Sequence, residues 1–232
     1  KGDGEAILAA YASRSNSVDW LNRIDGIWGF ALWDPNIESL ILSRDPLGVK
    51  PLVRTLTREG TLLFASENKA LRAHPDYSPE LDEEALVARL AFEYPLDDTT
   101  LLKDVHQIRP GTVEVWTLSE HGAQLQSVTH YSCDVVSPSE HWDIQKAPAL
   151  LESLTSSLAD RLMSDVPLGI VLSGGLDSAM VAALAHGAAE RTGYPVPACW
   201  TVSESEDNPD WMAAAEVCHS LDLEHHQHIL AE

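Results

Sequence analysis

The stretch "PLGIVLSGGLDSAMVAALAH", Pro167 to His186, constrains this chain more than any other. It runs from "LGIVL" through Ser173-Gly174-Gly175-Leu176-Asp177-Ser178 into a helical pattern. An unbroken apolar run of that length predicts a buried parallel strand. A strand that enters a glycine-serine turn and leaves as a helix gathers backbone N–H groups and two hydroxyls at a helix N-terminus. That is an anion site by geometry and by dipole. Glycines at 174 and 175 are expected to let the backbone close around phosphate oxygens where a Cβ would collide. The Walker-type loop reaches the β- and γ-phosphates through Gly-Lys-Ser/Thr, and no lysine stands here. The loop is therefore expected to be a different kind of phosphate binder. A bare carboxylate would repel phosphate, so Asp177 implies a divalent cation and is the candidate metal ligand. The plainer alternative is a helix capped by Ser173 or Asp177, with the glycines serving only a tight turn.

The helix after the loop, expected over 177–190 and ending at Gly193, is followed by a strand "VPACWTV", a helix around 210–220 and a strand near "HHQHIL". Strand, helix, strand, helix, strand is the opening half of a doubly wound α/β sheet. Before the loop, "KAPALLESLTSSLADRLMSD" places Leu150, Leu151, Leu154, Leu158 and Leu162 on one helical stripe. In "EHHQH", His225 and His226 point to opposite faces of a strand, which argues against a metal site there.

The first half of the chain reads differently. A helix opens after Asp3, and "GIWGFALWD", "SLILSRD" and "TLLFASE" then follow as strand-length runs separated by turns, an antiparallel meander. A helix at 82–92 and a strand pair, "PGTVEVWTL" with "QLQSVTHYS", complete it. The stretch Cys133 to Gln145 loses periodicity and has linker composition. The expected division is a domain over 1–134, a linker over 135–146 and a second domain over 147–232. With 232 residues, two modest cores fit better than one.

A net charge of −21 repels nucleic acid and anionic lipid, so neither is an expected partner. It fits either ordinary acidic bias or adaptation to high salt. Three cysteines, Cys133, Cys199 and Cys218, share no close spacing and suggest no disulfide framework or zinc site. A reducing cytoplasm is the expected compartment.

The segment around SGGLDS resembles the pyrophosphate loop of the N-type ATP pyrophosphatases, and in particular that of glutamine-dependent asparagine synthetases. In the same order as that family's class II glutaminase domain come "GDGEAILAAY", "IDGIWGFALWD", "LILSRDPLGVKPL", "LLFASENKAL" and "QIRPGTVEVW". The resemblance implies an α+β part of an Ntn-type glutaminase sandwich, followed by part of an ATP-pyrophosphatase domain. It assigns Asp3 to the α-ammonium of glutamine. Ser173, Gly174, Gly175, Asp177 and Ser178 would surround the ATP pyrophosphate, with Mg2+ on Asp177. Leu172 and Val202 would make backbone and apolar contacts to adenosine. Arg44 and Asp45 match a motif that is largely architectural, and Asn68 stands on the expected ammonia path where an apolar residue is expected.

The implied reaction is a ligation in asparagine biosynthesis. Glutamine yields ammonia at an N-terminal cysteine, Mg-ATP activates the carboxylate of aspartate or another acid as an acyl-adenylate, and ammonia displaces AMP. That cysteine, with other parts of both sites, is expected outside Lys1–Glu232, and none of the three cysteines present is placed to substitute, so the chain as given is expected to be inactive. The alternatives are intramolecular amide closure of the β-lactam synthetase or lasso-cyclase kind, and a non-catalytic ATP-binding relative. Oligomeric state is open.

Overall fold

The computed structural model describes residues 2–14, 18–131 and 143–230. The chain divides into two compact units, Lys1–Val136 and Ser137–Glu232. Most of the expected linker, and Cys133, lie outside the described residues. Asp143 is described, and its carboxylate accepts from the Gln145 N–H at 3.0 Å to open a short 3-10 turn, Ile144–Lys146.

The first unit runs α1 (Asp3–Ala12), a 3-10 turn (Asp19–Arg23), β1 (Gly29–Asp34), β2 (Ser39–Arg44), β3 (Val53–Leu56) and β4 (Leu62–Ala65). It continues with α2 (Asn68–Leu71), α3 (Glu83–Phe92), β5 (His106–Gln107), β6 (Thr112–Ser119) and β7 (Gly122–His130). β1 and β2 pair antiparallel as expected, Gly29 opposite Arg44. The meander ends there. The other neighbour of β2 is β6, giving the order β1-β2-β6-β7, while β4 belongs to a second antiparallel sheet ordered β4-β3-β5.

The reason is β3, "VRTL", which the apolar pattern conceals. Its inward positions include Thr55 as well as Val53. Arg54 reaches across to β6, where its Nε lies 2.7 Å from the Glu114 carboxylate, and Trp116 Nε1 donates to the same oxygen at 2.9 Å. Glu114 is only 5 % exposed, so this pair joins the two sheets inside the unit, and removing either partner would strand a buried charge. Leu42, Leu52, Ile108 and Trp116 form the apolar core around it. On the other face of the first sheet, Leu32, Ile41 and Val113 pack with Tyr11, Trp20, Leu21, Trp28 and Tyr131. Tyr11 donates to Asp34 at 2.7 Å and Arg14 pairs with the same carboxylate at 2.8 Å, which pins the end of α1 to β1.

The second unit runs α4 (Ala147–Arg161), β8 (Gly169–Val171), α5 (Leu176–Thr192), β9 (Ala198–Ser203), α6 (Pro209–Leu221) and β10 (His225–Ile229). The three strands are parallel and ordered β10-β9-β8. Each right-handed crossover steps in the same direction, so α5 and α6 fall on the same face. There Leu172, Ala182, Cys199, Ala214, Cys218 and Leu223 form the core. A doubly wound sheet gains helices on its second face only when strand order reverses, and no reversal occurs within β8 to β10.

The expectation that "LGIVL" is buried on both faces is corrected accordingly: Ile170 and Leu172 face the core, but Val171 is 83 % exposed. The leucine stripe of α4 also needs correction. Leu158 and Leu162 pack against Ala188 and Ala189 of α5, whereas Leu150 and Leu151 are exposed.

Candidate functional site

The loop Leu172–Gly175 joins β8 to α5 in the expected strand-turn-helix order. Gly175 is the N-cap of α5 and supplies no side chain to cap it. The first hydrogen bond of the helix is Ala179 N–H to Gly175 O at 3.0 Å. Among the described residues the N–H groups of Gly174, Gly175, Leu176, Asp177 and Ser178 have no protein acceptor. Five backbone donors thus gather at the positive end of a 17-residue helix.

The hydroxyls are ordered by one another. Ser178 Oγ donates to Gly175 O at 3.1 Å and accepts from the Ser173 N–H at 3.3 Å. Its proton being spent, the 3.1 Å contact between the two hydroxyls must be donation from Ser173 Oγ to Ser178 Oγ. Asp177 is exposed beside them on the first turn of α5. A carboxylate with neighbouring hydroxyls is a hard-oxygen donor set, which suits Mg2+ rather than a soft metal. Capping of the helix by Ser173 or Asp177, the plainer reading, does not occur.

The two glycines differ. Gly174 has φ +76°, and a Cβ on it would meet Asp210 O at 2.6 Å, Ala213 Cβ at 2.8 Å and Ala214 N at 2.9 Å. Its lack of a side chain is required by α6 behind the loop. At Gly175 the nearest atom to a Cβ is Ser173 Oγ at 3.5 Å, an ordinary contact.

Leu172 is 1 % exposed, and its side chain belongs to the core. Its N–H donates to Trp200 O at 2.8 Å and its carbonyl accepts from Thr201 Oγ1 at 2.8 Å, so any contact it offers a ligand comes from its backbone. Val202 is 57 % exposed on the uncovered face of β9. Val171, at the end of β8, was hidden by its place inside an apolar run and joins Val202 as an exposed apolar side chain beside the loop. On the same face Trp200 stacks on His226 with ring centroids 4.1 Å apart. His225 points the other way, with Nε2 2.9 Å from Thr201 Oγ1. Among the described residues no three His, Cys, Asp or Glu side chains gather as a metal cluster.

Cys199 and Cys218 are free thiols in the core under the loop. Burial pushes Cys199 up to about 12, with the neighbouring Cys218 adding to the shift, so neither is a thiolate nucleophile near neutral pH.

In the first unit Asp3 is the first residue of α1, with Gly2 as N-cap, and its side chain is exposed and makes no cap hydrogen bond. Arg44 and Asp45 tie the turn after β2 to its surroundings. Arg44 donates to the carbonyls of Gly48 at 2.6 Å, Lys50 at 2.7 Å and Ile108 at 2.9 Å. Asp45, 1 % exposed, accepts from the N–H groups of Leu47, Val49 and Lys50. Asn68 opens α2 at the wall of a cavity of about 520 Å3 shared with Pro51, Val53, Thr100 and Leu101. Its Oδ1 is buried without a hydrogen-bond partner among the described residues.

Residues 1–131 match the family model described as a glutamine amidotransferase domain, and residues 149–232 match the one described as asparagine synthase. The chain is 33 % identical over 218 residues to asparagine synthetase [glutamine-hydrolyzing] 3 of Bacillus subtilis, covering 92 % of this chain and 34 % of that protein. It is 29 % identical over 240 residues to asparagine synthetase [glutamine-hydrolyzing] of Bos taurus, covering 98 % and 39 %. The chain thus spans about a third of the length of the curated relatives it matches. An amidotransferase-matching segment followed along the chain by an asparagine-synthase-matching segment that carries the loop of open amides, together with 33 % identity to a curated relative over 92 % of the chain, places this chain in the glutamine-hydrolysing asparagine synthetase family.

Proposed function

We propose that the protein makes asparagine from aspartate, ATP and glutamine by way of an acyl-adenylate. The observation that carries this reading is the set of five open amides at 174–178 with Asp177 beside them. An aspartate carboxylate oxygen attacks the α-phosphorus of ATP, and the bond to the β-phosphate oxygen breaks with its electron pair leaving on pyrophosphate. Ammonia then attacks the acyl carbon and AMP departs. Negative charge grows on the leaving pyrophosphate, and the amides of Gly174 to Ser178 are fixed donors for it, without a lysine in the loop. Asp177 would hold Mg2+, which when bound would supply charge neutralisation for the leaving pyrophosphate. The hydroxyls of Ser173 and Ser178, committed to each other and to the Gly175 carbonyl, would hold the loop in shape around the phosphates, with the Ser178 N–H among the donors. Val202, with Val171, gives adenosine an apolar surface, and the Leu172 backbone borders it.

In the same reading residues 1–134 are part of an Ntn-type glutaminase domain, 135–146 a linker, and 147–232 part of an ATP-pyrophosphatase domain. Exposed Asp3 at the head of α1 would hold the α-ammonium of glutamine. Asn68 would put a polar oxygen on the route by which ammonia leaves. The substrates and the reduced cysteine chemistry suit the cytoplasm. No described helix is long and apolar enough to cross a membrane.

The test is product analysis on the full-length protein with ATP, Mg2+, aspartate and glutamine. AMP, pyrophosphate and asparagine should appear in equal amounts. Release of ADP and orthophosphate, or pyrophosphate release without aspartate consumption, contradicts the proposal.

A further inference from the structure

We infer that Thr201 and His225 are positioning residues for the phosphate loop, His225 Nε2–H donating to the Thr201 hydroxyl and that hydroxyl holding the carbonyl of Leu172. This rests on the proposed nucleotide reading of the loop.

The argument begins with one peptide plane. The carbonyl of Leu172 and the N–H of Ser173 belong to the same peptide, the one at which β8 becomes the loop. Thr201 Oγ1 holds the carbonyl at 2.8 Å from one side, and Ser178 Oγ accepts from the N–H at 3.3 Å on the other. A peptide gripped at both ends cannot rotate about its flanking dihedrals, and its orientation sets the direction in which Ser173 and Gly174 leave the strand. Leu172 is anchored besides by its own N–H to Trp200 O at 2.8 Å and by its buried side chain.

The hydroxyl of Thr201 has one proton, and the Leu172 carbonyl can only accept, so the proton is committed there. The 2.9 Å contact with His225 Nε2 must therefore be donation from the ring. Burial first, and then the neighbouring His226, hold His225 below the usual histidine range, so near neutral pH it carries a single ring proton, which the geometry places on Nε2. The chain of donors runs across β10, β9 and β8 to the first peptide of the loop. It accounts for His225 within "EHHQH", whose neighbour His226 serves the opposite face.

The test uses the full-length protein and titrates magnesium pyrophosphate by calorimetry into the wild type, Thr201→Ser, Thr201→Val and His225→Leu. Thr201→Val keeps the shape and removes the hydroxyl, and it should weaken binding at least tenfold. Thr201→Ser should restore it to within about twofold of wild type, and His225→Leu should lose several-fold. A purely structural role would lower the unfolding midpoint and leave the affinity unchanged, so equal affinity in wild type and Thr201→Val overturns the inference. Should Thr201→Val fail to fold, His225→Leu and the ring nitrogen shifts of wild-type His225 carry the test. Those shifts should report the Nε2–H tautomer, and an Nδ1–H tautomer overturns the donor chain. Failure of the wild type itself to bind pyrophosphate would overturn the nucleotide reading and this inference with it, an outcome distinct from binding that ignores Thr201.

Discussion

Two turns in this chain leave a strand through similar residues and spend their hydrogen-bonding capacity in opposite ways. At Arg44–Lys50, the guanidinium satisfies three carbonyls and the Asp45 carboxylate satisfies three N–H groups, all within the first unit. At Ser173–Ser178, the hydroxyls satisfy one another while five consecutive amides find no acceptor among the described residues. Both contain aspartate, but Asp45 is buried and turned inward, whereas Asp177 is exposed at a helix N-terminus. Motif composition alone does not separate a scaffold from a site. What separates them is whether the polar groups are already used.

If that contrast is right, breaking the closed turn should cost stability and breaking the open one should cost binding. The largest effect is expected from Asp45→Ala, which takes the shared carboxylate acceptor from three part-buried N–H groups and should destabilise the first unit by about 4 kcal/mol in denaturant unfolding. The same carboxylate gives a pH signature. Burial alone would raise its pKa, but N–H donation from Lys50, Val49, Leu47 and Gly48 outweighs burial and holds it below the ordinary value. A depressed folded-state pKa means that its contribution is complete above the unfolded value of about 3.9 and is lost as pH falls through the folded value. Asp45→Asn should flatten that acid limb of the stability curve.

Next in size is Gly174→Ala. Positive φ and backbone contacts under 3 Å with α6 should destabilise the second unit by about 3 kcal/mol and abolish pyrophosphate binding. Asp177→Asn sharpens the comparison on the binding side. It should leave the unfolding midpoint unchanged while lowering affinity for magnesium pyrophosphate about tenfold, or about 1.4 kcal/mol, with little effect on binding measured in EDTA. The smallest effect should come from Gly175→Ala, whose Cβ has room and whose cost is that of a poorer N-cap, about 0.5 kcal/mol.

How much of this could be read from the sequence follows the same division. The strand-turn-helix around SGGLDS was legible because local order and glycine chemistry alone fix it. The helix over 176–192 ends at Gly193 with φ +76°, a stop the sequence announced. β3 was not legible, because its charge is neutralised by Glu114, sixty residues along the chain. The second sheet and the exposure of Val171 were hidden too, since both depend on which strand pairs with which rather than on any local pattern. The packing constraint on Gly174 was hidden for a related reason, because it comes from α6, which follows by about 35 residues. Thr201 and His225 carry no motif at all, and only the register of β8, β9 and β10 brings them to the loop.

The most direct measurement is an amide 1H–15N titration of the protein with magnesium pyrophosphate, following Gly174 to Ser178 and Leu47 to Lys50 in one experiment. The account predicts large, saturable downfield shifts at 174–178 and none at 47–50. Saturable shifts that bypass 174–178, or no shift there at millimolar ligand, would contradict it.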